Sequence, residues 1–472
     1  MTEQHYDVIV FGGGPAGLNA ALATDAAGLR TVVIDEQHGP GGQVYRPVAG
    51  ELTVVGRPDP QYRSGERLRE RVRASGVTVL SATRVWGATR GFKVYAATVE
   101  DVFSLTGDAV LIASGATERV IPFRGWTTPG VIGLAAATIL LKSHRTLPGR
   151  RTVVAGAGPL LPAVAAGILK MGGEVSAIVD SQGPATWMGA ALHYCSSPKI
   201  FALGLGWVLS LGARHIPYYS YSKVTAAEGI DAVSGVEVSR IGKDEKAIAG
   251  TASPIACDAL AVGNGLVPSI ELASLLQVEM TFDERCRSSV PKTDECGRTS
   301  IAGIYAAGDC TGIHGADHAR LAGELTGLAI ACDRGRLPQA EFEQRAARLR
   351  PAIRRAGKIG AASARLMTPA DAAIADVPAD AVICRCEDVA YGDFIASLRQ
   401  VGSDMNALKA WTRCGMGPCQ GRTCGPNVRA AARLHCGVEP QALLWTARAP
   451  VRPLDLAGAA EYQWTPNERE FN

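Results

Sequence analysis

The sequence predicts an α/β fold: two parallel-sheet units, the second inserted into the first, followed by a small cysteine-bearing unit. Three observations carry this reading. A strand, a glycine-rich turn and a helix follow one another at residues 6–27, and the same order recurs from residue 152. A third strand-and-turn stretch, at 303–309, comes after the second unit. Cysteines then stand in two tight pairs, Cys384/Cys386 and Cys419/Cys424.

Length and composition set the outer bounds. A chain of 472 residues holds two to four domains. A net charge of +3 is too small to point to nucleic acid. The twelve cysteines crowd toward the C-terminal half instead of spreading as a disulfide framework does. The first residues lack a basic region and run straight into a strand, so no signal peptide is expected. The apolar runs 130–141 and 200–213 are too short to span a bilayer and read as buried segments. No transmembrane segment is expected. The location expected is the cytoplasm, with peripheral attachment to the inner membrane as the variant.

In the first unit the turn is Gly12-Gly13-Gly14-Pro15-Ala16-Gly17. This is G-x-G-x-x-G in its strand–turn–helix setting. Gly12 makes the tight turn, Gly14 lets a pyrophosphate approach, and Gly17 lets helix and strand pack closely. The helix start adds N–H groups and a positive dipole end. The next strand ends in Asp35-Glu36, and an acid there binds an adenosine ribose; spacing fits both. Gly42, Gln43 and Arg46 follow in the stretch 39–47. Arg46 reads equally as a solvated arginine or as a cofactor or interface residue. No C-x-x-C pair occurs anywhere, which removes dithiol redox chemistry.

The second turn reads Gly156-Ala157-Gly158-Pro159-Leu160-Leu161. Leucine stands where the third glycine belongs, and is expected to push the helix off its strand and crowd the phosphates. Asp180 ends the following strand and suits a ribose. The site is therefore expected to hold at most a structural adenine nucleotide, without hydride transfer from NAD(P)H. Cys195 reads as a buried thiol and the tyrosines of 217–223 as packing or interface residues. Residues 257–267 read as the strand crossing back to the first unit. An Arg/Ala-rich stretch, 334–365, reads as one or two amphipathic helices with a solvated basic face, and 367–378 as a linker. The tail, 438–472, carries Trp445 and Trp464 and reads as a strap packing back on the body.

Four soft thiolates in two tight pairs suit a [2Fe–2S] cluster, each pair chelating one iron. Zinc is the alternative, although C-x-C is less usual than C-x2-C in structural zinc sites. The segment 383–426, with G-M-G-x-C-Q-G-x-x-C at 415–424, resembles ferredoxin-like [2Fe–2S] domains of the bacterioferritin-associated ferredoxin type. That resemblance implies Cys384, Cys386, Cys419 and Cys424 as ligands and Cys414 as a bystander.

Residues 108–115, ending at Gly115, and 303–309, ending in Gly308-Asp309, resemble the strand and second flavin motif of glutathione-reductase-like flavoproteins. The resemblance implies FAD at the first site, with Asp309 on the ribityl chain and the following helix start near the ring. His314 and His318 read as ordinary polar residues at that helix start. Taken whole, the chain resembles the FAD- and cluster-carrying α subunits of heteromeric amino-acid dehydrogenases: opine oxidases, proline or D-hydroxyproline dehydrogenases and hydrogen cyanide synthase. It is more distantly similar to heterotetrameric sarcosine oxidase. The family implies an FAD-containing β subunit that oxidises the amine, a further FMN at the subunit interface, and an acceptor such as a quinone or cytochrome. The expected domains are 1–115 and 256–333 for FAD, 116–255 for the degenerate nucleotide unit, 334–378 for a helical connector, 379–437 for the cluster and 438–472 for the tail. No general base stands out, in keeping with a substrate site on the partner. A self-sufficient NAD(P)H-dependent reductase is the rival reading.

Overall fold

The computed structural model describes residues 4–48, 60–440 and 443–462. The first sheet is built on β1 (Gln4–Phe11), β2 (Thr31–Ile34), β3 (Thr78–Leu80), β4 (Arg84–Ala88), β5 (Lys93–Ala97) and β6 (Val102–Ile112), in the order β3-β2-β1-β6-β5-β4. Val8 to Phe11 and Val32 to Ile34 are almost wholly buried. Such continuous apolar runs mark a parallel sheet covered on both faces. Helix α1 (Pro15–Ala26) leaves the glycine turn with proline at its first position, where a missing N–H does no harm. Helix α2 (Pro60–Arg73) packs Leu68 and Val72 into the same core as α1, its Arg69 guanidinium bonded to the Tyr45 carbonyl.

The chain leaves through β7 (Ala116–Glu118) into the second sheet. There β8 (Val131–Gly133), α3 (Leu134–Ile139), β9 (Arg151–Gly156), α4 (Leu160–Lys170), β10 (Glu174–Asp180), α5 (Pro184–Tyr194), α6 (Pro198–Gly212) and β11 (Tyr218–Ser220) precede a meander, β12 (Ser222–Glu228), β13 (Gly235–Arg240) and β14 (Ser253–Ala256). β15 (Ala259–Gly263) then inserts between β9 and β8, giving the all-parallel order β11-β10-β9-β15-β8. The expected crossing strand at 257–267 therefore splits. Its first half belongs to the second sheet, and β16 (Leu266–Pro268) makes the crossing, antiparallel to β7. The second unit extends past residue 255 for that reason.

Two sequence expectations for this unit fail. The run 200–213 is not a buried segment: α6 has one buried residue, Leu211. Cys195, expected buried, is exposed in the same helical hairpin. Apolar composition says that a surface is to be covered, and among the described residues nothing covers this one.

Back in the first unit lie α7 (Glu271–Leu275), the ribbon β17 (Met280–Asp283) and β18 (Ser288–Pro291), and β19 (Ile304–Ala306), which pairs with the end of β6. Helix α8 (Ala316–Asp333) lies against α1 so closely that a Cβ on Gly323 would come within 2.1 Å of the Ala16 carbonyl oxygen. Helix α9 (Gln339–Met367) is one continuous helix with Pro351 inside it. A short 3-10 turn, Asp371–Asp376, leads to a compact unit: β20 (Val382–Cys384), β21 (Val389–Ala390), α10 (Tyr391–Val401), α11 (Met405–Thr412) and α12 (Gly425–Cys436), with its own core around Phe394, Leu398 and Val428. The tail then returns to the first unit. The Val451 N–H donates to the Trp86 carbonyl at 2.8 Å, and α13 (Leu456–Glu461) follows. Trp464 lies outside the described residues.

Candidate cofactor sites

At the first glycine turn the structure separates the two acids that spacing left open. Asp35 turns inward: its carboxylate accepts from the Gly13 N–H at 2.7 Å and the Gln37 N–H at 2.8 Å. Burial raises its pKa, and the two backbone bonds oppose the shift. Glu36 faces outward, with Arg452 of the tail 3.2 Å away. Gly17 sits where a Cβ would meet the Gly12 carbonyl oxygen at 2.0 Å, so α1 can start against β1 only with glycine there. Gly42 folds over Gly14, and the Gly41 N–H donates to the Gly13 carbonyl at 2.7 Å. Arg46 reaches Gln37 and Gln43 at 2.7 and 2.8 Å, yet its buried Nε has no partner. A helix start and an unpaired guanidinium N–H form a cradle that fits a pyrophosphate.

Gly308 and Asp309 close the same place from β19, Gly308 packing on Ala16. The Asp309 carboxylate accepts from the His314 and Gly315 N–H groups, each at 3.0 Å, and its burial raises its pKa. Gly115 stands at the mouth of β7, its carbonyl accepting from Ser269 N–H. His314 lies in the loop just before α8 and His318 in its first turn, as a pair of stacked rings 4.3 Å apart. Burial lowers the pKa of both, that of His318 to about 3.

The second glycine turn is closed from within the chain. A Cβ on Gly158 would lie 2.2 Å from the Met367 side chain, so Met367 occupies the approach that a pyrophosphate needs. Leu161 is not the obstacle it was expected to be. It is fully buried beneath the sheet with Val154, Ala165 and Ile178. Asp180 is also spent internally. It accepts from Trp187 Nε1 at 2.7 Å, Tyr218 Oη at 2.5 Å and Gln182 N–H at 2.8 Å, and is fully buried. A cavity of about 350 Å³ remains beside Gly156 and Ser181, with the Lys223–Asp376 pair (2.6 Å) on its wall.

The four predicted thiols come together. Cys424 interacts with Cys384 and Cys419, and Cys419 with Cys386; the fifth thiol, Cys414, lies against Cys384. Contacts with Cys414 and Cys424 lower the Cys384 pKa, and contact with Cys424 lowers that of Cys419. The contacts form a chain from Cys414 through Cys384, Cys424 and Cys419 to Cys386, and among the described residues no group of three or more His, Cys, Asp or Glu is placed to hold a single metal ion. The tail seals the loops. Trp445 lies on Gly421 and Gly415, where a Cβ would come within 2.1 and 2.8 Å of its ring. Lys409 Nζ stands 5.6 Å from the Trp445 ring centre. Soft donors in a glycine-lined, covered loop fit an iron–sulfur cluster.

The family description of pyridine nucleotide-disulphide oxidoreductases matches residues 6–207 and 218–325. The chain belongs to that family. Within it, the A subunit of opine oxidase from Rhizobium meliloti (strain 1021) is 33% identical over 474 residues, covering 97% of this chain and 98% of that one. Hydrogen cyanide synthase subunit HcnB of Pseudomonas aeruginosa is 31% identical over 438 residues, covering 88% and 90%. Among solved structures, L-proline dehydrogenase from P. horikoshii superposes with a TM-score of 0.70 at 21% identity, over 96% of this chain and 79% of that one, a likeness of fold. This member of the pyridine nucleotide-disulphide oxidoreductases is an oxidoreductase whose family implies FAD, and its relatives are subunits of larger enzymes. No helix among the described residues is long and apolar enough to cross a membrane.

Three residues of these sites escaped sequence reading. Met367 and Arg452 carry no local motif; each acts on a loop more than 200 positions away. Trp445 was singled out only as part of a strap. Its signal was a lone aromatic just past a glycine-rich cysteine loop.

Proposed function

We propose that the chain is the electron-transferring subunit of a heteromeric dehydrogenase that oxidises an amino acid, imino acid or opine on an FAD-containing β subunit. In this reading FAD lies at the first glycine turn. The Gly14 amide, the start of α1 and Arg46 take the pyrophosphate, while the Gly13 N–H stays on Asp35. Glu36, the outward acid, takes the ribose once Arg452 turns aside. Gln43 lines the cofactor, and Asp309 accepts from the ribityl chain. Cys384, Cys386, Cys419 and Cys424 ligate a [2Fe–2S] cluster, with Trp445 excluding water from their loops. When bound, FAD takes up an electron pair and the cluster releases electrons singly, toward a quinone or cytochrome. A further FMN at the interface with the partner belongs to the same reading. A structural adenine nucleotide would be confined to the cavity beside Gly156.

The observation that carries the proposal is the closure of the second turn. Met367 on Gly158 and the internally bonded Asp180 take up the pyrophosphate and ribose positions that NAD(P)H would use there, which supports a reading in which electrons enter from the partner. The same contacts weigh against a self-sufficient NAD(P)H reductase. An anaerobic titration tests this. NADH is expected to leave the flavin band unchanged, while dithionite, or the co-purified partner with an amine substrate, bleaches it and raises a cluster EPR signal. Rapid bleaching by NADH alone would select the reductase instead.

A further inference from the structure

The helical hairpin α5–α6 carries a surface that the proposed function does not use. Met188, Leu192, Val208 and Leu209 are each 60% exposed or more, and Phe201 and Leu205 add to the same hairpin. Contiguous exposed apolar side chains of this number mark an interaction surface. Three further features say what it meets. No aspartate or glutamate occurs between Asp180 and Glu228, whereas the exposed Lys199 stands in the first turn of α6 and the exposed Arg214 just past its end. Tyr218, Tyr219 and Tyr221 are exposed beside the start of α5, Tyr221 lying against Gly183. And α6, at 15 residues, is about 22 Å long, too short for a hydrocarbon core of about 30 Å and suited to lying flat.

We infer that α5–α6 is a membrane-surface hairpin that docks the chain on an anionic lipid bilayer. The apolar side chains enter the acyl boundary, Lys199 and Arg214 reach back to headgroup phosphates, and Tyr219 and Tyr221 sit at headgroup level. A second copy of the chain fits this face poorly. A self-complementary contact would set its bases against a surface without acids. The inference stands apart from the proposed function, since lipid binding needs no substrate or acceptor.

Vesicle flotation with the cofactor-loaded full chain tests it, using phosphatidylcholine alone and phosphatidylcholine mixed with phosphatidylglycerol. The chain is expected to float with the anionic vesicles, and less with neutral ones or at high salt. The double variant Leu205→Glu/Leu209→Glu should lose about tenfold or more in partitioning, since two leucines leave the lipid. Both positions are open to solvent, so thermal unfolding and the flavin spectrum should not move. Lys199→Glu/Arg214→Glu, a second variant, should abolish the preference for anionic vesicles. Wild-type chain that stays unbound with both vesicles overturns the inference, as does a Leu205→Glu/Leu209→Glu variant that floats equally well. Loss of self-assembly or of the β partner in that variant, with wild type indifferent to vesicles, assigns the face to protein and also overturns it.

Discussion

Glu118 sits on β7 with its carboxylate at the start of α3, accepting from the Ala135 N–H through both oxygens at 3.0 and 3.1 Å. Burial pushes its pKa up to about 8, and the Ala135 and Leu134 N–H groups oppose the shift. Between about pH 4.5 and 8 the folded chain thus keeps a proton that the unfolded chain has released. Stability should fall as pH rises through that window and level off above it. At about 1.4 kcal/mol per pH unit the loss amounts to a few kcal/mol, trimmed by what solvent still reaches the group. Glu118→Gln should therefore melt near the wild type at pH 5 and clearly above it at pH 8; a gap that does not change with pH would refute this. Gly17 gives a second expectation. In Gly17→Ala the new methyl meets the backbone oxygen of Gly12, which cannot swing away. About 1–3 kcal/mol should be lost, together with flavin retained through purification, read from the ratio of 450 to 280 nm absorbance. Gly17 was legible in the sequence because its constraint is local. The choice between Asp35 and Glu36 was not, because consecutive residues leaving a strand face opposite ways and only the position of the loop decides which is free.

At the scale of elements, the strand–turn–helix units and α9 could be read from apolar runs and helical periodicity. The face that each helix turns inward could not. Helix α6 has the composition of a core helix and is exposed. The end of α9 reads as a solvated basic helix entering a linker, yet in its last turn Ala364, Leu366 and Met367 are buried and Arg365 alone faces outward. The tail is the element with the sharpest test. Trp445 covers the glycines of the cysteine loops, so Trp445→Ala opens those loops to water and oxygen. The variant should keep its flavin but hold less iron per chain, losing it faster in air, by elemental analysis against time. Equal iron retention would mean that Trp445 serves packing alone.

Over the whole molecule, the cysteine-bearing unit is pinned to the body by few polar contacts. Trp126 Nε1 donates to the Val382 carbonyl at 2.7 Å, Asn427 Nδ2 to Val120 O at 2.8 Å, and Arg124 pairs with Asp380 on the exposed rim. Asp371 is the central contact. It pairs with Arg287 at 2.7 Å and with Arg433 of α12, in a cleft where Arg119 and Arg429 also lie. Removing this acid leaves a cluster of cations facing one another. Asp371→Ala should cost about 2–3 kcal/mol, less than a fully buried pair because solvent reaches the edge. Limited proteolysis should then release a fragment beginning near residue 370, and high salt should partly protect it; an unchanged digestion pattern would count against this role. None of these pairs was legible, since each joins residues from units that the sequence shows only separately.

Met367 has one more consequence. The second sheet hangs from the first by only two strands, β7 and β16. Met367 packs with Ala116 and Leu266 at the roots of those strands, with Cys286 and Ile313 of the first unit, and on Gly158 of the second. A two-stranded connection is a natural hinge, and this side chain acts as a bolt driven through it. The two halves cannot rotate about one another without first withdrawing the end of α9. While the end of α9 stays in place, groups held by the two sheets keep one mutual geometry.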